Sequence, residues 1–134
     1  MPANHDNSVE AARVTVMVID DNRDFREAME QLLPRLFNVE VRSVFSDAQT
    51  ALDYLEDDTV DLVLVDFKMP RMNGLVFTET VRKRPNPPKI IVISFNPLPA
   101  LREAVMAAGA IDLLSKSDIH DELAPHLESL FGTR

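Results

Sequence analysis

The chain is predicted to fold as an α/β domain, a doubly wound and mostly parallel sheet with helices on both faces. Short apolar runs rich in β-branched residues alternate along the chain with segments whose apolar residues recur at helical spacing. Most of these runs are apolar throughout, which is typical of strands covered on both faces. Five strand–helix units follow one another in order, and successive units of this kind build a parallel sheet through right-handed crossovers.

The five predicted strands are short and are bounded by polar, glycine or proline residues. The second alternates apolar and polar residues and is the weakest of the five, whereas the others are nearly all apolar. In chain order, the predicted strands cover residues 14–19, 39–44, 62–65, 89–93 and 111–114.

The first three predicted helices each have a recognisable boundary signal. The first carries one apolar stripe, and Pro34 is expected to end or kink its last turn. Ser46 followed by Gln49 fits a capping box at the start of the second helix. The third is expected to run from Leu75, after a glycine turn, to about Lys83.

The last two helices are bounded by proline, glycine and short polar residues. Pro99 fits the first turn of the fourth helix, which is expected to end near 108–109, where glycine suits a left-handed cap. Ser117 or Asp118 is expected to cap the fifth helix. Pro125 should then lie near the start of that helix or bend it.

Bulk composition excludes several classes of function. A length of 134 residues suits one domain, with residues 1–12 as a flexible arm and 13–134 as the folded part. The net charge of −8 argues against direct nucleic-acid binding, because phosphate affinity depends on clustered lysine and arginine. Without cysteine, the chain has no disulfides, thiolate metal sites or thiol catalysis. No signal peptide or membrane-spanning run occurs, so we expect a cytoplasmic protein that does not bind membranes.

Residues with reactive side chains follow four of the five predicted strands, at the point where each strand ends. Asp20 and Asp21 follow the first strand, and Asp66 follows the third. Ser94 follows the fourth and Lys116 the fifth. Taken singly, each has a structural alternative as a turn former, helix cap or solvated surface charge. Because the carboxyl ends of parallel strands meet at one edge, we expect all five side chains to converge in one shallow pocket.

The chemistry of such a pocket suits phosphoryl transfer. Three nearby carboxylates repel one another unless a cation lies among them, and their hard oxygens suit Mg²⁺. A metal-bound Asp66 is placed to attack a phosphorus atom. Lys116 and the Ser94 hydroxyl would then share the negative charge of the phosphoryl oxygens, and this reaction needs little beyond positioning and electrostatic stabilisation.

Two further sets of residues are interpreted as structural. The histidines fit no metal or catalytic pattern and are expected at the surface; they are His5, His120 and His126. Five methionines are expected to fill the core or its gaps, which is the usual use of this flexible side chain. They are Met17, Met29, Met69, Met72 and Met106.

The segment 65–74, with the sequence VDFKMPRMNG, resembles the phosphoacceptor segment of bacterial response-regulator receiver domains. It has the aspartate, the following Met-Pro, the second methionine and the glycine, and the acidic pair, the serine and the lysine stand in the family's order around it. The resemblance covers about residues 14 to 131. It implies a flavodoxin-like fold, a five-stranded parallel sheet in the order 2-1-3-4-5 with five flanking helices.

The resemblance also implies a metal site and a source for the phosphoryl group. Asp21 would bind Mg²⁺ directly and Asp20 mainly through water, while Asp66 and the backbone carbonyl of Lys68 complete the ligand set. The usual donor is a phosphohistidine on a sensor histidine kinase or a histidine phosphotransfer protein. The signal would pass to a downstream protein partner or to an output domain outside this chain.

In the transfer itself, the resemblance gives three residues distinct roles. Asp66 is the phosphoacceptor, Ser94 is the switch hydroxyl that turns toward the phosphoryl group, and Lys116 is the cation that pairs with it. The domain would be no enzyme beyond catalysing its own phosphorylation and dephosphorylation.

Three positions depart from the family pattern and point to an altered route of signal transmission. Ser117 stands where the family has a proline in a cis bond after the lysine, so a trans bond or a strained site is expected. Leu113 occupies the switch position that is usually Tyr or Phe. Phe95 follows Ser94 where a small residue is commoner, and it would either block the adjoining space or take part in signalling.

Two alternatives follow from these departures and from the fold. The first is a binding module of the same fold that signals without phosphorylation, which the three departures favour and the complete acidic site opposes. The second is a small phosphotransferase or phosphatase with an aspartate nucleophile. Such enzymes usually carry a second aspartate two residues after the nucleophile, where this chain has Lys68.

Overall fold

A computed structural model describes residues 13–36 and 38–132 of the chain. The predicted arm, 1–12, lies outside the described residues. Strands and helices alternate as the sequence predicts, with one short 3₁₀ turn at Lys116–Asp118 before the last helix. The elements are β1 (Val14–Ile19), α1 (Arg23–Leu36), β2 (Val39–Phe45), α2 (Ala48–Asp57), β3 (Leu62–Asp66), α3 (Gly74–Arg82), β4 (Lys89–Ser94), α4 (Pro99–Ala107), β5 (Asp112–Ser115) and α5 (Ile119–Phe131).

The five strands form one parallel sheet in the order β2-β1-β3-β4-β5, which confirms the doubly wound fold. Side chains alternate between its two faces, as a period of two requires. Val63 and Val65 pack under α2, α3 and α4, while Leu62 and Leu64 pack under α1 and α5. Two hydrophobic cores therefore hold the central strands rigidly and fix where their carboxyl ends lie.

The weak pattern of the second strand follows from its place in the sheet. β2 is an edge strand, and most of its residues are only partly buried. Its pairing with β1 shifts register between Val16 and Met17. By contrast, every residue of β3 is buried, which explains its uninterrupted apolar sequence up to Asp66.

One predicted helix boundary is confirmed and one needs correction. Pro34 lies in the last turn of α1, which ends two residues later at Leu36. The cap of α2 is Asp47 rather than Ser46, and the capping box with Gln49 does not form. A carboxylate oxygen of Asp47 accepts a hydrogen bond from the Thr50 backbone N–H at 2.8 Å, which satisfies a donor of the first helical turn.

The start of α5 agrees with the predicted cap position. Asp118, one of the two residues expected to cap it, is the cap residue but makes no side-chain cap hydrogen bond. Ser115 caps the preceding 3₁₀ turn by accepting from the Ser117 backbone N–H. Pro125 lies in the interior of α5 instead of near its start. The described residues contain no cis peptide bond, so the bond between Lys116 and Ser117 is trans.

Other local predictions have mixed outcomes. Pro99 begins α4, and Gly109 has φ +113°, a left-handed conformation that glycine adopts without strain. Met106 is 44% exposed, so its assignment to the core is wrong, whereas Met17 and Met29 are buried in the core.

No helix in the described ranges is long and apolar enough to cross a membrane.

Candidate functional site

Three carboxylates meet where β1 and β3 end side by side. Asp20, Asp21 and Asp66 each offer an oxygen, and these oxygens all lie within 4.8 Å of one another. Asp20 and Asp66 are buried, whereas Asp21 is exposed. Since β1 and β3 are hydrogen-bonded neighbours in parallel, the convergence predicted from the strand ends is confirmed.

Local hydrogen bonds fix the acidic pair after β1. The Asp20 carboxylate accepts from the Asn22 backbone N–H at 2.8 Å, and the Asp20 carbonyl accepts from the Arg26 guanidinium at 2.8 Å. The Asn22 side chain accepts from the Phe25 backbone N–H at 2.8 Å, which satisfies a donor in the first turn of α1. The polar run after β1 thus turns the chain, begins the helix and orients Asp20 at once.

The loop after β3 depends on a close approach at Gly74. A Cβ on Gly74 would lie 2.8 Å from the backbone oxygen of Asp66, closer than real Cβ contacts come. The Gly74 N–H donates to the Phe67 carbonyl at 2.8 Å, and Asn73 caps α3 through its side chain. Lys68 lies in the same loop, exposed at the rim of the pocket.

Lys116 is a buried cation at the end of β5. Its side chain is 4% exposed, and its Nζ lies 2.7 Å from Oδ2 of Asp20 and 3.5 Å from Oδ2 of Asp66. The same Nζ lies 4.5 Å from the ring centroid of Phe25 and 4.8 Å from that of Phe95. Sequence reasoning missed both ring contacts, because helical periodicity assigns Phe25 to the core stripe and says nothing of distances across the pocket.

Ser94 ends β4 and is buried beside the acidic cluster. Its Oγ accepts a hydrogen bond from the Asn96 backbone N–H at 3.0 Å, within its own loop. A cavity of about 640 Å³ lies between this loop and the loops after β1 and β3, and Asp21, Asp66 and Lys116 line it together with Ser94. The structure therefore brings all five predicted strand-end residues to one rim.

The surroundings of Asp66 change its acidity. Burial raises the pKa of the Asp66 carboxyl to about 6, and the negative charge of Asp20 adds to the rise. The ammonium of Lys116 opposes both effects without cancelling them. The pocket thus favours the neutral form of Asp66 more than water does, because the carboxyl is buried and like charges lie close to it.

The pocket has the donor chemistry of a divalent-cation site. Oδ2 of Asp20 is buried, and the structure pairs it with the ammonium of Lys116 at 2.7 Å. Three carboxylates against one ammonium leave an excess of negative charge in a confined space. Hard oxygen ligands in this number fit Mg²⁺, which binds through a few carboxylates and keeps several waters.

A second polar cluster joins α4, β5 and α5 away from the acidic site. The Asp112 carboxylate is 9% exposed and lies 2.8 Å from Nε of Arg102 and 3.0 Å from Nε2 of His126. His126 is therefore a partly buried partner of Asp112, which corrects its assignment as a surface residue. His120 is exposed as expected, and His5 lies outside the described residues. Leu113, next to Asp112, is buried in the sheet.

Comparison with known proteins agrees with this fold. The family model for the response regulator receiver domain matches residues 16–128. The chain is 30% identical over 122 residues to the response regulator UvrY of Escherichia coli, covering 89% of this chain and 55% of UvrY. It is 32% identical over 108 residues to protein-glutamate methylesterase/protein-glutamine glutaminase 4 of Anaeromyxobacter dehalogenans, covering 80% of this chain and 30% of that protein.

Among solved structures, the signal receiver domain of NarL from Mycobacterium tuberculosis superposes with a TM-score of 0.81 at 28% identity. That match covers 91% of this chain and 98% of the NarL domain. The chain spans about half or less of the length of these curated relatives, and the shared part is the receiver fold. Because the family model matches residues 16–128 and the sheet has the order 2-1-3-4-5, the chain belongs to the response regulator receiver domain family.

Proposed function

We propose that this chain accepts a phosphoryl group on Asp66 from a phosphohistidine donor, with Mg²⁺ bound beside it, and thereby switches binding to a partner. One observation carries the proposal. Asp66 lies at the end of β3 with its oxygen in the three-carboxylate cluster, and Nζ of Lys116 lies 3.5 Å from its Oδ2. A nucleophile, a metal-ready acidic pair and a cation thus share one pocket.

The proposed ligand set is the one that the resemblance to the receiver family implies. Asp21 is exposed to the cavity and would bind Mg²⁺ directly, while the buried Asp20 would reach it mainly through water. Asp66 and the backbone carbonyl of Lys68 would supply the remaining protein ligands. Bound Mg²⁺ would neutralise charge on the phosphoryl oxygens and on the attacking carboxylate.

The proposed transfer needs only groups that the pocket already holds. An Asp66 oxygen attacks phosphorus, so an O–P bond forms while the P–N bond to the donor imidazole breaks. The imidazole leaves with the bonding electron pair and takes up a proton. Lys116 is close enough to balance charge on the phosphoryl oxygens, and the Ser94 hydroxyl would turn from the Asn96 N–H to donate to one of them.

The proposed partners match this chemistry. A sensor histidine kinase or a histidine phosphotransfer protein would present the phosphohistidine at the open cavity. Phosphorylation would add negative charge and acceptor oxygens at the rim of the sheet, where β4 and β5 lead to α4 and α5. A downstream protein partner or an output domain would read the change on the face formed by α4, β5 and α5.

Intact-mass measurement after incubation with acetyl phosphate and Mg²⁺ tests the proposal. We expect a single phosphoryl adduct that is absent when EDTA replaces Mg²⁺ and absent in Asp66→Asn. Asp112→Asn is a matched control, because it changes another buried strand aspartate outside the site and should keep the adduct. An adduct that survives in Asp66→Asn, or none in the wild type, would contradict the proposal and favour a module that signals without phosphorylation.

A further inference from the structure

Phe95 combines high exposure with contact to a buried charge. The residue is 73% exposed, yet its ring centroid lies 4.8 Å from Nζ of Lys116, whose side chain is 4% exposed. Phe25 holds a second ring 4.5 Å from the same nitrogen. Two aromatic rings from different parts of the chain, the start of α1 and the end of β4, therefore border one ammonium group.

Aromatic rings suit the task of holding this cation better than further carboxylates would. A lysine ammonium is a compact, strongly hydrated charge on a flexible stem, so it tends to swing toward water. The face of an aromatic ring attracts the ammonium and displaces water from around it. The ring carries no net negative charge, so it does not neutralise the ammonium. The positive charge of Lys116 then remains available to a phosphoryl group at Asp66.

We propose that Phe95 is a positioning residue for phosphoryl transfer, which together with Phe25 keeps the Lys116 ammonium dehydrated and aimed at the rim of the acidic pocket. The inference rests on the proposed function of Asp66 as phosphoacceptor. It gives a chemical reason for an aromatic residue directly after Ser94, at the mouth of the cavity. Without Phe95, the ammonium would keep the ring of Phe25 at 4.5 Å but lose the ring at 4.8 Å, and water would take its place.

A steric role for Phe95 predicts the opposite result. Phe95 lines the cavity, and a bulky side chain at its mouth would slow the entry of a phosphodonor. Under that role, smaller side chains would speed phosphorylation. Under the positioning role, they would slow it, because the ammonium would be hydrated and mobile. Whether a smaller side chain at position 95 raises or lowers the rate of phosphorylation therefore distinguishes the steric role from the positioning role.

The first measurement is the initial rate of phosphorylation by acetyl phosphate with Mg²⁺, followed by intact mass. We expect Phe95→Leu, which keeps apolar bulk without an aromatic face, to slow the reaction roughly three- to tenfold, within the strength of a cation–π contact. Phe95→Tyr should restore the rate to within about twofold, since its ring also attracts cations. Leu98→Ala is the control, because Leu98 is an exposed residue of the same loop and has no aromatic ring to offer to Lys116. It should leave the rate of phosphorylation unchanged.

The second measurement observes Lys116 without any phosphodonor. In protein labelled with ¹⁵N lysine, the ammonium protons of Lys116 should exchange slowly with water, with the signal assigned by its loss in Lys116→Arg. Phe95→Leu should speed that exchange and Phe95→Tyr should restore its slow rate. Equal protection in wild type and Phe95→Leu, or faster phosphorylation of Phe95→Leu, would overturn the positioning role. Failure of the proposed function itself would show separately, as wild-type protein that takes up no phosphoryl group.

Discussion

The acidity of Asp66 illustrates how single residues set the chemistry of the pocket. The strand carries this carboxylate into a buried position, where the loss of water and the charge of Asp20 raise its pKa to about 6. The positive charge of Lys116 lowers the pKa of Asp66 in opposition to these two effects, since its Nζ lies 3.5 Å from Oδ2 of Asp66. Asp66 therefore remains mostly ionised near neutral pH and is still able to act as a nucleophile.

Lys68 is the exposed cation nearest to Asp66 along the chain, and we expect it to protect the phosphorylated form. It lies at the rim of the cavity, where its ammonium would hold a phosphoryl oxygen and hinder an attacking water. Lys68→Ala should shorten the phosphoaspartate lifetime roughly two- to fivefold, the size of one exposed ion pair, and change the unfolding free energy little. The measurement is the decay of the adduct after removal of the donor.

Lys89→Ala is the matched control for Lys68, because Lys89 is an exposed lysine at the opposite end of the sheet. It should leave the lifetime unchanged. Equal lifetimes in wild type and Lys68→Ala would remove Lys68 from the mechanism.

At the residue scale, the sequence predicts which side chains meet but not how they contact one another. The order of strand ends is enough to place Asp66 and Lys116 on one rim. Distances within the rim depend on side-chain packing from separate elements, which is why the rings of Phe25 and Phe95 around Lys116 were not predicted. The pairing of Asp112 with His126 was missed for the same reason, because α5 approaches β5 only in the folded chain.

Among the elements, α3 begins so close to β3 that its first residue has to be glycine. A Cβ at Gly74 would meet the backbone oxygen of Asp66 at 2.8 Å, and backbone atoms of a buried strand cannot move aside as a flexible side chain does. Gly74→Ala should therefore lower the unfolding free energy by about 1–3 kcal/mol, the usual cost of overpacking. Urea denaturation measures the loss.

Val76→Ala provides the comparison for Gly74, since Val76 lies in the same helix and is 41% exposed. It should change the unfolding free energy by less than about 0.5 kcal/mol. If Gly74→Ala were as mild as Val76→Ala, the strand and helix would have room to separate, and the close approach would not constrain the loop that carries Lys68.

The cluster of Arg102, Asp112 and His126 links three elements on the proposed output face. Removing either Arg102 or His126 leaves the Asp112 carboxylate with one side-chain partner, whereas removing both leaves this buried carboxylate with neither of them. The double variant Arg102→Ala/His126→Ala should therefore lose more stability than the two single variants together. We expect a coupling of about 0.5–1 kcal/mol, because Arg102 is largely exposed and its ion pair is screened by water.

Repeating this cycle in an Asp112→Asn background isolates the shared carboxylate. The coupling should then disappear, because the neutral amide no longer depends on either base. A coupling that persists without the carboxylate charge would mean that α4 and α5 communicate by packing alone.

The elements themselves were largely predictable, and their ends were less so. Hydrophobic periodicity locates all five strands and helices because it reports burial, which the sheet imposes along its whole length. Ends depend on single hydrogen bonds, and a carboxylate at Asp47 outcompetes Ser46 for the cap of α2.

For the molecule as a whole, pattern alone predicts a parallel sheet but not the order of its strands. Many orders bury the same apolar runs, and the order 2-1-3-4-5 followed from the resemblance of the 65–74 segment to the receiver family. That order matters for function because it makes β1 and β3 neighbours and so brings Asp20 and Asp66 together. The sheet therefore holds like charges close to one another within a protein whose net charge is already −8.

The stability of the whole fold should consequently depend on Mg²⁺ and on Asp66. Without the cation, the clustered carboxylates repel one another, so Asp66→Asn should be more stable than wild type in EDTA. With the cation, wild type should gain stability, by about 2.7 kcal/mol at a concentration a hundred times Kd, while Asp66→Asn gains less. Thermal melts with EDTA and with Mg²⁺ measure both effects, and K⁺ at equal ionic strength is the control for screening.

The pH dependence of the same melts gives an independent check with a defined sign. Because the pKa of Asp66 in the folded state is raised to about 6, the metal-free folded protein binds a proton that the unfolded chain has already released. The stabilisation that this extra bound proton gives to the folded state is fully present below the ordinary carboxyl pKa. It is lost as the pH rises to about 6. Relative to Asp66→Asn, wild type in EDTA should therefore lose stability across this window, and Mg²⁺ should reverse the loss. If stability changed with pH in the same way in wild type and Asp66→Asn, Asp66 would titrate in the folded protein as it does in water. The proposed repulsion between the carboxylates at the rim of the sheet would then be wrong.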